Sequence, residues 1–130
     1  MTILKLQLPY GKVATLNSYR NQYHYRANKE KKNWAVVVHK ALVKAGFNTK
    51  RKTPFVTTPV KIRFGFSFPD RRKRDIDGMA VYVKYTLDAL VSANVLPEDN
   101  VNHVPEITLS TLKLDKNKQG FIRVSISDHK

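Results

Sequence analysis

Two aspartates separated by one residue, Asp75 and Asp77, stand directly after four consecutive cations, Arg71, Arg72, Lys73 and Arg74. Carboxylates at i and i+2 project to one side of an extended backbone, and a pair of hard oxygen donors suits a divalent cation such as Mg²⁺. A cation held there would neutralise a phosphate and present a deprotonated water, as metal-assisted phosphodiester hydrolysis requires. Asp99 could complete the ligand set, and Lys84 could place a point charge on the transition state. Six of the ten acidic residues fall between Asp70 and Asp99, in a chain of formal net charge +14. Acids gathered inside a basic molecule suggest a metal site facing a polyanion.

Each of these residues also has a plain structural use. Asp77 can cap a helix, Lys84 and Asp88 can form an exposed i,i+4 pair worth about 0.3 kcal/mol, and Asp99 can serve a turn. His103, close behind Asp99, can assist a ligand or sit on the surface. Tyr19, Tyr23, Tyr25, Arg20 and Arg26 can stack on unpaired bases and pair with phosphates, or pack the arm that carries them. An Asp-x-Asp alone does not choose between these uses.

The elements that must position these groups follow from periodicity. Ile3 to Leu8 alternates as a half-buried strand, closed by Pro9-Tyr10-Gly11. A polar, basic and aromatic arm runs from Asn17 to Lys32, with Asn28 placed to cap the helix that follows. Trp34, Val37, Val38, Ala41, Leu42 and Ala45 form one helical stripe, which Gly46 ends. Val60, Ile62, Phe64, Phe66 and Phe68 alternate strictly, with Lys61 and Arg63 on the opposite face.

From Asp77, about 100° per residue aligns Met79, Ala80, Val83, Leu87, Leu90 and Val91 on one stripe and Asp77, Lys84 and Asp88 on a flank. Pro97-Glu98-Asp99-Asn100 makes a turn into a strand at Ile107, Leu109 and Thr111. Residues 116–120 then read as a hairpin into a last strand at Ile122, Val124 and Ile126. The expected architecture is α+β, one mixed or antiparallel sheet with both helices on one face.

The 130 residues suit one domain, over residues 1–130. With 42% apolar and 26% charged residues the chain can build a core. The excess of 24 Lys and Arg over 10 Asp and Glu favours phosphate backbones over membranes, because no long apolar segment accompanies it. With no cysteine, disulfides and thiol chemistry are excluded, and the start has no signal-peptide pattern. A cytoplasmic protein is expected.

The stretch Phe68-Pro69-Asp70-Arg71-Arg72-Lys73-Arg74-Asp75-Ile76-Asp77, then Lys84, Leu87-Asp88-Ala89-Leu90 and Glu98-Asp99, resembles the RusA family of Holliday-junction resolvases. The match spans about 32 residues, and the flanks agree in element order and in Asn17 to Tyr19. The resemblance implies a Mg²⁺-dependent endodeoxyribonuclease that resolves four-way junction DNA by paired symmetric nicks in recombination and repair, phage or prophage encoded. It implies a homodimer, whose two-fold symmetry matches that of a junction. Asp75, Asp77 and Asp99 would be the metal-binding catalytic carboxylates and Lys84 the essential lysine, with Mn²⁺ a candidate substitute ion.

Arg71, Arg72, Lys73, Arg74, Tyr19, Arg20 and Arg26 are the expected DNA contacts. Gly78 stands where the family often has Asn, and Lys84 follows Asp77 by seven residues, three more than in the shortest members, a shift of about 4.5 Å along a helix. Glu98 is a candidate outer ligand. Asp75-Ile76-Asp77-Gly78 also resembles the nucleophile loop of haloacid-dehalogenase phosphatases. That loop follows a buried strand, not four cations, and its family needs a longer chain. A basic nucleic-acid-binding protein without catalysis is the alternative function.

Overall fold

Alternating apolar residues build four strands, β1 Thr2–Pro9, β2 Val60–Ser67, β3 Glu106–Thr111 and β4 Phe121–Asp128, and two apolar stripes build the helices α1 His24–Lys44 and α2 Ile76–Ser92. The computed structural model describes residues 2–11, 24–74 and 76–129, with the backbone alone for 24–28 and 77. The strands form one mixed sheet in the order β1-β4-β2-β3. β4 is antiparallel to both β1 and β2, whereas β3 lies parallel to β2. This is the expected α+β fold.

The hairpin expected at residues 116–120 is not one. α2 carries the chain from the end of β2 back to its start, so β3 must enter parallel to β2, and β4 then takes the position between β1 and β2. The turn is organised by Asp115, whose carboxylate accepts from the amides of Asn117, Gln119 and Gly120 at 3.1, 3.3 and 2.8 Å. Those bonds, Asn117 first and Gly120 next, lower the Asp115 pKa from its usual 3.8. Gly120 has φ +83°, and a Cβ there would stand 3.0 Å from Pro69 and Tyr10 side-chain atoms. Only glycine lets this turn close onto the ends of β1 and β2.

Leu6, Leu8, Ile62, Phe64, Phe66, Ile122, Val124 and Ile126 fill one face of the sheet and join Trp34, Val38, Leu42 and the buried face of α2 in one core. Both helices therefore cover the same face. The α1 stripe runs as expected through Trp34, Val38 and Leu42. The helix begins earlier than expected, at His24, so Asn28 lies within it and does not cap it.

On α2 the buried residues are Met79, Val81, Tyr82, Tyr85, Thr86, Leu87, Ala89 and Leu90, with Ala80 exposed. Of the expected stripe, Met79, Leu87 and Leu90 are buried and Val83 and Val91 are packed against the core, so only Ala80 departs from it, while Val81, Tyr82, Tyr85, Thr86 and Ala89 widen the buried face. Here Thr86 and Tyr82 enter the core by satisfying their polar ends: Trp34 Nε1 donates to Thr86 Oγ1 at 2.9 Å, and the Tyr82 hydroxyl accepts from the Gly11 amide at 2.8 Å.

Each helix ends in the same way. Gly46 (φ 86°) follows α1, with Phe47 N donating to Leu42 O and Gly46 N to Val43 O. Asn94 (φ 60°) repeats the arrangement after α2, through Val95 N to Leu90 O and Asn94 N to Val91 O. Paired bonds of this kind satisfy carbonyls that a helix end leaves open. They also fix where the chain leaves α2, and hence where Glu98 and Asp99 begin.

Candidate functional site

The basic run is held in a clamp between the end of β2 and the start of α2. Asp70 Oδ1 accepts from the Arg72 amide at 2.9 Å and from Arg74 Nη2 at 2.9 Å. Arg74 also donates to the carbonyls of Asp70 (3.1 Å) and Arg72 (2.9 Å) and, through Nε, to the Tyr10 hydroxyl (3.2 Å). Its guanidinium lies 4.7 Å from the centroid of the Phe68 ring and 5.6 Å from that of Tyr10, within cation–π range. Tyr10 in turn stacks on Tyr82 of α2, ring centroids 5.4 Å apart.

These bonds set the electrostatics of the loop. The Arg72 amide first, and the Arg74 side chain second, hold the Asp70 carboxyl below its usual 3.8. Burial works against the charge on Arg74, and its hydrogen bonds to Asp70 and Tyr10 outweigh that, so its pKa is raised.

The four cations expected to touch DNA therefore divide into two kinds. Arg71, Arg72 and Lys73 are exposed, while Arg74 is turned inward and occupied. An arginine that spends its donors on two carbonyls, a carboxylate and a hydroxyl is a fastener for the loop, not a free phosphate contact. The i,i+4 spacing of Asp70 and Arg74 was a visible signal for this clamp. The aromatic walls from Phe68 and Tyr10 were not, since they come from separate strands.

Asp75 lies outside the described residues, as do Tyr19, Arg20 and Tyr23, and of Tyr25, Arg26 and Asp77 only the backbone is described. α2 begins at Ile76, which places Asp77 inside the first turn and not at the cap. The backbone at Ile76 and Asp77 is helical and not the extended backbone expected of the Asp-x-Asp. An acid in the first turn still suits the positive end of the helix.

Lys84 is exposed midway along α2. Asp88 does not pair with it; its Oδ2 lies 3.1 Å from Lys31 Nζ of α1. Asp88 thus joins the two helices.

Asp99 is at the opposite end. Val60 N, at the start of β2, donates to His103 O at 3.0 Å, and Val104 N to Asn100 O at 2.8 Å, so the 98–103 loop sits where β2 begins. α2 starts where β2 ends, and the rise from Asp77 to Ser92 alone is about 22 Å. Within one chain, Asp77 and Asp99 are therefore roughly 20 Å apart and cannot share an ion. Among the described residues no group of three or more His, Asp or Glu side chains is placed to hold a metal.

The acidic loop is organised by Asn100, the last residue of the turn expected at Pro97-Glu98-Asp99-Asn100. Asn100 Oδ1 accepts from the amides of Asn102 (3.1 Å) and His103 (3.2 Å) and lies 2.8 Å from His103 Nδ1. Asn100 Nδ2 donates to Glu98 Oε2 at 2.6 Å. His103 and Glu98 are thus tied into the loop, and Asp99 is exposed with no hydrogen bond to its carboxylate among the described residues.

No helix among the described residues is long and apolar enough to cross a membrane. No family model and no curated protein matches this chain, and its own residues carry the reading of function.

Proposed function

We propose that this chain is a Mg²⁺-dependent endonuclease for branched DNA, a four-way junction in particular, and that its working site is shared between two copies. The observation that carries the proposal is the clamp: Arg74 fastens the loop and leaves Arg71, Arg72 and Lys73 exposed immediately before the helix start that bears Asp77. Three exposed cations beside carboxylates fit a phosphodiester strand brought to a metal. Asp75 and Asp77 would hold the ion, which supplies charge neutralisation and an activated water when bound. The chain's own part is to grip the strand with the basic loop and to exclude Arg74 from competing for the carboxylates by keeping it bonded elsewhere.

Asp99 cannot join that pair from the same chain, but a second copy can supply it. β3 is an edge strand, and Ile107 and Leu109 on its helix side are 40% and 36% exposed. An open, partly apolar edge is a template for pairing. Antiparallel pairing of two β3 edges around a two-fold axis sets the Glu106 end of one chain beside the Thr111 end of the other. α2 lies over β2, with Tyr82 5.9 Å from Phe66. The same two-fold therefore brings the acidic loop of each copy toward the α2 start of the other.

The deciding experiment incubates the protein with a mobile four-way junction and with a matched linear duplex, in Mg²⁺ or EDTA, and maps the nicks. Paired, symmetric, Mg²⁺-dependent cuts near the branch support the reading. Tight binding with no cleavage in Mg²⁺ or Mn²⁺ would replace it with that of a basic DNA-binding protein, a reading to which the separation of Asp77 from Asp99 within one chain lends weight.

A further inference from the structure

The face of the sheet turned away from both helices carries a charge pattern that the clamp and the α2 start do not use. Register places Lys5 of β1 and Arg63 of β2 on either side of Ser125 of β4. With strands about 4.8 Å apart, those cations stand roughly 10 Å from one another. Arg123 lies two residues from Ser125 on the same strand, about 7 Å away, and Lys61 two residues from Arg63. Lys5, Lys61, Arg63 and Arg123 are all exposed, and none forms an ion pair among the described residues.

Between the cations the face is floored with short hydroxyl side chains: Ser125, Ser127 and Thr108. The result is a pair of shallow depressions of about 480 and 380 Å³ that share Lys5 and Ser125. Glu106 is the one acid lining them among the described residues, and His129 Nε2 lies 3.6 Å from it. The apolar side chains on this face stand at one end, where Leu112 covers Gly65 and Phe121 lies under Arg123.

We propose that this helix-free face is a second binding surface, taking the sugar-phosphate backbone of a duplex DNA arm across Ser125 between Lys5, Arg63 and Arg123. The proposal rests on the reading that DNA is the ligand and adds where a second arm lies. Cations separated by hydroxyls match phosphate oxygens, which such side chains contact in DNA complexes. A protein partner would instead call for an apolar or aromatic centre, and the centre here is serine. A spacing of about 10 Å covers roughly three nucleotides of one strand at 3.4 Å each. Because the sheet separates this face from α2, a strand held at Arg71 to Lys73 leaves it free, and a branched substrate has further arms to place.

The test is the salt dependence of binding, read by fluorescence anisotropy with a four-way junction and with a linear duplex the length of one arm. Lys5→Gln, Arg63→Gln and Arg123→Gln combined should flatten the slope of log K against log salt on the junction by about 2 to 3, at about 0.9 per lost phosphate contact. Arg71→Gln, Arg72→Gln and Lys73→Gln combined mark the other surface, and the two losses should add. Should the triple sheet variant fail to fold, the single change Ser125→Glu sets an acid in the middle of the surface and should weaken junction binding by itself.

An unchanged slope in the sheet variant, with a flattened one in the loop variant, overturns this surface and leaves the nuclease reading standing. Loss of self-association by sedimentation with the slope retained overturns it also, making the face an interface between copies. Wild-type protein that binds neither DNA at low salt overturns the surface and the DNA reading together.

Discussion

The two ends of α2 are built on one plan with opposite charge. At its start, Arg74 binds the loop 68–74 to itself and leaves Arg71, Arg72 and Lys73 exposed. Beyond its end, Asn100 binds the loop 98–103 to itself and leaves Asp99 exposed. In each loop one residue is consumed as a fastener so that its neighbours can face outward in a fixed place. The difference is in strength and in sign. The basic loop is fastened by a charged group against two aromatic rings, the acidic loop by a neutral amide in solvent. A two-fold arrangement that lays one end beside the other would set plus against minus, which supports the proposed shared site.

Mixing inactive proteins breaks that comparison most directly. Asp75→Asn and Asp99→Asn should each abolish cleavage while keeping junction binding, since loss of a metal worth several kcal/mol corresponds to about 10²–10⁴ in rate. If the two ends meet across a dimer, combining the two variants restores nicking, because each mixed dimer keeps one site with both aspartates. Random exchange makes about half of the dimers mixed. A mixture as dead as its components would place the two aspartates in separate roles.

α2 must be rigid for its two ends to hold their separation, and its bond to α1 is the test. Thr86→Val keeps the shape of the side chain and strands the buried Trp34 N–H, at a cost of about 1–3 kcal/mol read as lowered thermal stability. A neutral outcome would mean that the bond between Trp34 and Thr86 does not tie the helices.

The fasteners themselves should differ in the same order. Arg74→Met keeps the contact with the rings and loses the hydrogen bonds, for about 1–2 kcal/mol, whereas Asn100→Ala loses neutral bonds in water, for about 0.5–1 kcal/mol. Amide hydrogen exchange should locate the two losses in residues 68–74 and 98–103 respectively. An equal or reversed order would sink the distinction between the two loops.

How much of this was legible in the sequence depended on how local each feature is. The strands and the helical stripe of Trp34, Val38 and Leu42 were readable because apolar periodicity is a local signal. The place of β4 between β1 and β2 was not, because strand order depends on where α2 returns the chain. The clamp was half legible: Asp70 and Arg74 announce their pairing by spacing, but Tyr10 arrives from β1. The separation of Asp77 from Asp99 was implicit in seventeen helical residues. A motif records which residues occur together and not how far apart the fold sets them.

The smallest effect expected is a titration at the basic end. Asp70 is bonded in its charged form, by the Arg72 amide first and Arg74 second, so its folded pKa lies below 3.8. A carboxylate whose pKa falls on folding stabilises the folded loop above its unfolded pKa, near 3.9, and that contribution fades as pH drops through the lower folded value. The Arg72 amide resonance should therefore move with pH at a midpoint below 3.8, and the loop should begin to lose protection only in that acid range. In Asp70→Asn the same amide should not titrate there. A midpoint at or above 3.8 would mean that Asp70 is not held in its charged form, and that the Arg74 clamp lacks the acid on which its difference from the neutral Asn100 loop depends.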